Sequence, residues 1–233
     1  MLTADNVAEW VQMALEARAD ETKAEEMAAY MKYQSRFYGV PSPLRKEIEK
    51  ELKKQLQIES YEAYERAVLS VWAIPYREGQ YMALTVARQP KKFIRSQSLP
   101  LYERLVREGA WWDLVDEIAN HLVGAVWRRE RAAVGPLMDE WIEDEDIWIR
   151  RVAILGQLTH KGETDETRLY RYCEAQMGES EFFIRKAIGW ALRQYSKVEP
   201  EGVKQFLERH RADLSGLSYR EGAKWLKKEG YDV

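Results

Sequence analysis

Apolar residues recur along this chain at spacings of three and four, which places them on one face of successive helices. The stretches SYEAYERAVLSVWAI (60–74) and PEGVKQFLERHRADL (200–214) follow this spacing. Alternating strand patterns and Asn-Gly or Asp-Gly hairpin turns are absent, so we predict an all-α protein. The predicted helices cover residues 4–18, 21–35, 42–56, 60–74, 76–89, 99–108, 111–123, 130–142, 147–159, 165–177, 181–197, 200–210 and 218–228.

Aromatic residues at the starts of four predicted helices follow a regular period. Tyr76, Trp112 and Trp148 are 36 residues apart, and Phe183 follows after another 35. One helix pair per period is typical of an α-solenoid, because a single pair cannot bury its own apolar face. Equivalent positions of successive repeats would then line a concave surface.

Composition limits the kinds of protein this can be. The chain has 233 residues, one cysteine and three histidines, so it can form neither an intrachain disulfide nor a cysteine zinc site. Its start is too polar for a signal peptide, and no apolar run approaches a membrane span. No linker divides the chain. We therefore expect a single domain over residues 1–233 and a cytoplasmic location.

Charge adds a detail to the predicted solenoid. The formal net charge is −3, and the acidic run DEWIEDEDIW (139–148) is expected to face outward. The opposite, concave face is then expected to form a basic groove, although the net charge of the chain is negative. The candidate residues of this groove are Trp112, Asp116, Arg151, Lys186, Trp190 and Arg193.

Motifs for common enzymatic mechanisms are missing. The chain has no P-loop, no HExxH and no GxSxG. The groove instead combines indoles, one carboxylate and several cations. Arginine and lysine suit phosphates, indoles suit flat or cationic ligands, and a carboxylate can stabilise a developing cation. These groups suit the removal of a positively charged alkylated purine from DNA, because such a base is already a good leaving group.

Four stretches make the sequence resemble one known family. They are MAAYMKYQSRFYGVPSPLRK (27–46), WWDLVDEIA (111–119), DIWIRRVAILGQL (146–158) and EFFIRKAIGWALRQYSK (181–197). The chain resembles the AlkD family of DNA alkylation repair glycosylases, which are built from HEAT-like helical repeats. The resemblance implies excision of 3-methyladenine and 7-methylguanine from double-stranded DNA by hydrolysis, without metal, cofactor or base flipping. We expect a monomer that does not bind membranes.

The resemblance also implies roles for individual residues. Asp116 corresponds to the catalytic aspartate of the family, and Trp112 and Trp190 to the two indoles of its aromatic cleft. Arg151 corresponds to the basic residue that holds the DNA backbone near the lesion. Asp116 is then expected to be a bare carboxylate that awaits the cationic substrate.

Three further positions are implied to bind DNA. Tyr30 corresponds to an aromatic residue near the mouth of the cleft. Lys186 and Arg193 lie where family members carry polar or basic groove residues. Trp111, next to Trp112, is expected to be a core residue.

Simpler interpretations remain open for these residues. Trp112, Trp190 and Tyr30 could be packing residues, Asp116 a salt-bridged acid, and Arg151 a partner of the acidic run. The alternative functions are a non-catalytic protein that binds DNA structures and a solenoid that binds other proteins.

Overall fold

A computed structural model describes all 233 residues and is entirely helical. Its only β feature is an isolated bridge between Leu2 and Leu56. No helix combines the length and apolar character that crossing a membrane requires. The helices are α1 (Val7–Glu16), α2 (Glu21–Tyr30), α3 (Ser42–Gln55), α4 (Tyr61–Trp72), α5 (Arg77–Arg88), α6 (Leu99–Gly109), α7 (Trp112–Ile118), α8 (Gly124–Arg129), α9 (Arg131–Trp141), α10 (Ile147–Leu155), α11 (Glu166–Gln176), α12 (Phe182–Tyr195), α13 (Pro200–Arg209) and α14 (Gly216–Lys228).

The all-α prediction is therefore confirmed, and most predicted helices lie close to observed ones. The chain divides into two compact units, Met1–Ile94 and Arg95–Val233. The expectation of a single domain stays a prediction.

The first unit packs α1, α3, α4 and α5 around buried aliphatic residues. Helix α2 ends at Tyr30, five residues before the predicted end at 35. Lys32 and Tyr33 adopt left-handed backbone conformations with φ values of 54° and 55°, which terminate the helix.

A buried glutamate organises the loop after α2. Glu78, on α5, is completely buried and accepts hydrogen bonds from the backbone N–H groups of Tyr38, Gly39 and Val40, each at 3.0 Å. Gly39 has a φ of +83°, and a Cβ there would lie 2.0 Å from the carbonyl oxygen of Asp20. The loop thus depends on both a glycine and a carboxylate.

Replacing Glu78 with Gln should destabilise the first unit by about 2–4 kcal/mol. Both carboxylate oxygens accept hydrogen bonds, so the amide nitrogen of Gln would face a backbone N–H that stays buried. Chemical denaturation of the variant measures this loss. Glu47→Gln, at an exposed position of α3, is the control. An equal stability of the two variants would contradict this role of Glu78.

In the second unit, helices that are one aromatic period apart in the sequence pack against each other. Helix α7 packs against α10, α10 against α12, and α12 against α14. Trp112 is the first residue of α7, and Trp148 and Phe183 are the second residues of α10 and α12. Residues one period apart therefore lie on neighbouring helices, and this packing positions the candidate site.

The predicted helix 111–123 differs from the structure at both ends. Trp111 precedes α7 in an extended conformation, and the helical chain continues through a π-helical turn, Ala119–Val123, into α8. Gly124 begins α8 where a Cβ would lie 2.3 Å from the carbonyl oxygen of Gly156. Only glycine permits this close approach of α8 to the end of α10.

Candidate functional site

The two adjacent tryptophans have different backbone conformations at the turn between α6 and α7. Ala110 adopts a left-handed conformation with a φ of 32°, and Trp111 follows with a φ of −154°. The Trp111 ring packs against Trp148 and Phe183, with centroid distances of 5.9 and 5.2 Å. Trp111 thus packs against neighbouring aromatic rings, but it is partly exposed and not the fully buried core residue that the sequence predicted.

Trp112 and Asp116 lie one helical turn apart on α7. This i, i+4 spacing places the indole and the carboxylate on the same face of the helix. Both residues are partly exposed, whereas Leu114 and Ile118 are buried on the opposite side of the helix. The partly exposed face can therefore meet a ligand.

Asp116 is not the bare carboxylate that the sequence suggested. Arg151, on α10, donates from Nε to Oδ1 at 2.7 Å and from Nη2 to Oδ2 at 2.8 Å. Nη1 of the same guanidinium donates to the carbonyl oxygen of Phe183 on α12. Arg151 thus links α10 to both α7 and α12, and it pairs with Asp116 instead of the acidic run.

Burial distinguishes the two partners of this ion pair. The Arg151 side chain is only 2% exposed, whereas the Asp116 side chain is 16% exposed. Burial raises the pKa of Asp116 above its ordinary value, and the hydrogen bonds and charge of Arg151 act against this rise. A carboxylate with each oxygen bonded once keeps further lone pairs, so Asp116 can still accept hydrogen bonds from a ligand or water.

Trp190, on α12, is surrounded by cations. The centroid of its indole lies 5.6 Å from Cζ of Arg151, 5.8 Å from Nζ of Lys186 and 6.0 Å from Cζ of Arg193. The ring is partly exposed. Asp116, Arg151 and Trp190 are therefore connected by direct contacts.

Lys186 and Arg193 share a counter-ion that the sequence analysis did not identify. Glu221, on α14, accepts a hydrogen bond from Nζ of Lys186 at 2.9 Å and from Nη1 of Arg193 at 2.9 Å. A third cation, Lys224, donates to it at 2.7 Å. Burial of the carboxyl raises its pKa, but the hydrogen bonds and charges of Lys224 and Lys186 outweigh this effect and lower the pKa of Glu221 to about 2.

The predicted cations are thus all ion-paired within the protein. Arg151 binds Asp116, and Lys186 and Arg193 bind Glu221. The surface around Trp190 is less basic than the sequence suggested, because each cation has a carboxylate next to it. Any phosphate must compete with Glu221 for Lys186 and Arg193.

Tyr30 belongs to the other unit, where it is the last residue of α2. Its side chain is largely exposed, with a relative accessibility of 76%. Tyr30 is therefore not a packing residue of the first unit, and its contribution to DNA binding stays a prediction.

A sequence signal for Glu221 exists in the repeat period. Asp116, Arg151, Lys186 and Glu221 follow one another at intervals of 35 residues. Neighbouring members of this series form the two ion pairs, Asp116–Arg151 and Lys186–Glu221. Extending the period by one step from Lys186 would have identified Glu221.

The chemistry available at this site is that of a carboxylate, indoles and cations. No group of three or more histidine, cysteine or acidic residues is placed to hold a metal ion. The arrangement can stack a flat group, stabilise a positive charge beside Asp116 and bind anions through the surrounding cations.

Comparison with known families identifies the class of protein. Residues 11–226 match the family model described as DNA alkylation repair enzyme. The chain belongs to this family. A comparison with curated proteins finds no match.

Solved structures agree with this assignment. A structure described as a predicted DNA alkylation repair enzyme from Enterococcus faecalis is 32% identical in sequence, with a TM-score of 0.80 over 91% of this chain and 98% of its own. AlkD2 from Streptococcus mutans is 16% identical, with a TM-score of 0.59 over 81% of this chain and 100% of its own. The smu.31 protein of Streptococcus mutans UA159 is 17% identical, with a TM-score of 0.59 over 79% and 96%. These neighbours confirm the AlkD-like fold of HEAT-like repeats.

Proposed function

We propose that this protein is a DNA glycosylase that releases positively charged alkylated purines from double-stranded DNA. The observation that carries the proposal is the placement of Asp116. Its carboxylate is held by Arg151, remains partly exposed, and shares a helix face with Trp112 while Arg151 lies beside Trp190. Such a carboxylate can stabilise a cation without a metal or a cofactor.

The proposed reaction is hydrolysis of the bond between the sugar C1′ and the purine nitrogen. In 7-methylguanine or 3-methyladenine the base already carries the positive charge, so it departs with the bonding electrons as a neutral molecule. The positive charge moves to the sugar, as in glycoside hydrolysis. Asp116 stabilises that sugar cation and orients the water that adds to C1′, and the proton of the added water passes to solvent.

Arg151 has a positioning role in this proposal. Its hydrogen bonds fix both oxygens of Asp116, and its third bond ties the pair to α12. The guanidinium is nearly inaccessible, so the DNA contact expected from the sequence requires a local movement of this arginine. That DNA contact stays a prediction, as do those of Lys186 and Arg193.

The first experiment measures base release from duplex DNA that contains defined lesions. Because the site favours cations, 7-methylguanine and 3-methyladenine should be released faster than by spontaneous hydrolysis, whereas uracil and hypoxanthine should not. A bulky cationic N7 adduct should also be released if the base is not flipped into a closed pocket. Release of neutral bases at comparable rates would contradict the electrostatic explanation, and a size limit just above methyl would contradict the absence of flipping.

One observation favours a second candidate, a non-catalytic protein that binds DNA structures. The ion pair with Arg151 occupies both oxygens of Asp116 and could serve packing alone. Tight binding of methylated duplex without release of base would support this candidate and rule out the glycosylase.

A further inference from the structure

Glu221 is built into the packing of α14 against α12. Gly189 lies opposite it, and a Cβ on Gly189 would come within 2.4 Å of the Cβ of Glu221. The hydroxyl of Ser218 also donates to the carbonyl oxygen of Arg185 at 2.9 Å. The helices thus meet closely enough to hold Glu221, whose side chain is only 7% exposed, against the cations of α12.

The net charge of the cluster formed by Lys186, Arg193 and Lys224 depends on this one carboxylate. Lys186, Arg193 and Lys224 carry three positive charges, and Glu221 is the acid that pairs with all of them. Two of these cations lie within about 6 Å of the Trp190 centroid. Loss of the Glu221 charge would leave both without this partner beside the indole.

We propose that Glu221 determines the specificity of the site for damaged DNA, an inference that rests on the proposed function. Glu221 holds Lys186 and Arg193 and offsets their charge, so that a cationic base is tolerated next to Trp190. The same contacts compete with DNA phosphates and weaken binding to undamaged duplex. Glu221 acts through the cations and is a positioning residue.

Two opposite effects follow from the removal of this charge. Without Glu221, Lys186 and Arg193 would bind DNA phosphates more strongly, because they would no longer have to give up a carboxylate partner to do so. The uncompensated positive potential would disfavour both the cationic base and the sugar cation that forms from it. DNA affinity should therefore rise while base release falls.

The decisive variant is Glu221→Gln, which keeps the shape and one acceptor oxygen. We expect about 3- to 10-fold tighter binding of undamaged duplex at low salt, and a slope of log affinity against log salt that is steeper by about 1 for each freed phosphate contact. The release of 7-methylguanine at saturating enzyme should slow by about 10-fold. Loss of packing alone would not produce tighter binding together with slower release.

The double variant Glu221→Gln/Lys224→Met separates charge from packing. It removes one cation with the anion and restores the net charge of the cluster, and Lys224 is largely exposed. It should recover part of the release rate and return the DNA affinity toward that of the unaltered protein. If the single variant does not fold, the double variant is compared with Lys224→Met alone, and the removal of Glu221 should then give tighter binding of undamaged duplex and slower base release. The control is Glu208→Gln, which removes an exposed carboxylate that pairs with Lys204.

Two outcomes would overturn the inference. One is unchanged or weaker DNA affinity of Glu221→Gln with an unchanged salt slope, and the other is a double variant with no recovery. If the unaltered protein releases no base, the proposed glycosylase fails, but the role of Glu221 is still tested by affinity. Glu221→Gln should then show a smaller preference for methylated over unmethylated duplex.

Discussion

An Asp116→Asn variant should bind methylated duplex DNA nearly as tightly as the unaltered protein but release 7-methylguanine at least about 100-fold more slowly. The amide keeps the size of the side chain and still accepts one hydrogen bond from Arg151 through its oxygen, while its NH2 group cannot accept the other. It loses the negative charge that stabilises the sugar cation. Single-turnover release at saturating protein isolates this step from DNA binding.

Glu117→Gln is the matched control for this variant. It removes the same charge from the neighbouring position of α7, where the carboxylate lies 3.9 Å from His121. Its release rate should stay within about 3-fold of that of the unaltered protein, since a partly exposed pair contributes little. Equal rates for Asp116→Asn and the unaltered protein would remove Asp116 from the reaction.

The pH dependence of release provides an independent check on Asp116. Only the ionised carboxylate can stabilise a cation, and burial raises its pKa above the ordinary value. The rate should therefore fall with decreasing pH through this raised pKa, at a higher pH than an exposed aspartate would give. The Asp116→Asn variant should lack this decrease.

Replacing Arg151 with Met should lower the free energy of unfolding by about 3–5 kcal/mol. The substitution leaves Asp116 largely buried without its partner and also removes the hydrogen bond to the Phe183 carbonyl. Chemical denaturation followed by tryptophan fluorescence measures the loss. Arg104→Met, at an exposed pair with Glu108, should cost less than about 1 kcal/mol.

The double variant Asp116→Leu/Arg151→Met tests the origin of that loss. Removing both charges leaves no unpaired ion, so most of the stability should return. It should release no methylated base, because the carboxylate is absent. A stable Arg151→Met single variant, within 1 kcal/mol of the unaltered protein, would show that Asp116 does not need this partner.

The sequence by itself determined the helical architecture and the repeat. Apolar spacing located most helices, and the aromatic period located the starts of α7, α10 and α12. These features depend on local spacing, because a helix must bury the face that carries its apolar residues. The end of α2 at Tyr30 escaped prediction, because the left-handed conformations of Lys32 and Tyr33 have no strong local signal.

The candidate residues could also be chosen from the sequence, but their electrostatic state could not. The resemblance indicated Asp116, Trp112, Trp190 and Arg151, whereas the pairing of Asp116 with Arg151 became visible only in the structure. The partner of a charged side chain depends on which helices become neighbours. That is a property of packing and not of spacing along one helix.

Glu221 shows most directly how the contribution of the sequence differs from that of the tertiary structure. Its spacing of 35 residues from Lys186 is present in the sequence, but the spacing has no meaning until α14 packs against α12. Only that packing, permitted by Gly189, brings the carboxylate to Lys186 and Arg193 and sets the charge around Trp190. The sequence determined which charged groups are available. The tertiary structure decided which of them neutralise one another, because the interaction between charges depends on their distance and burial.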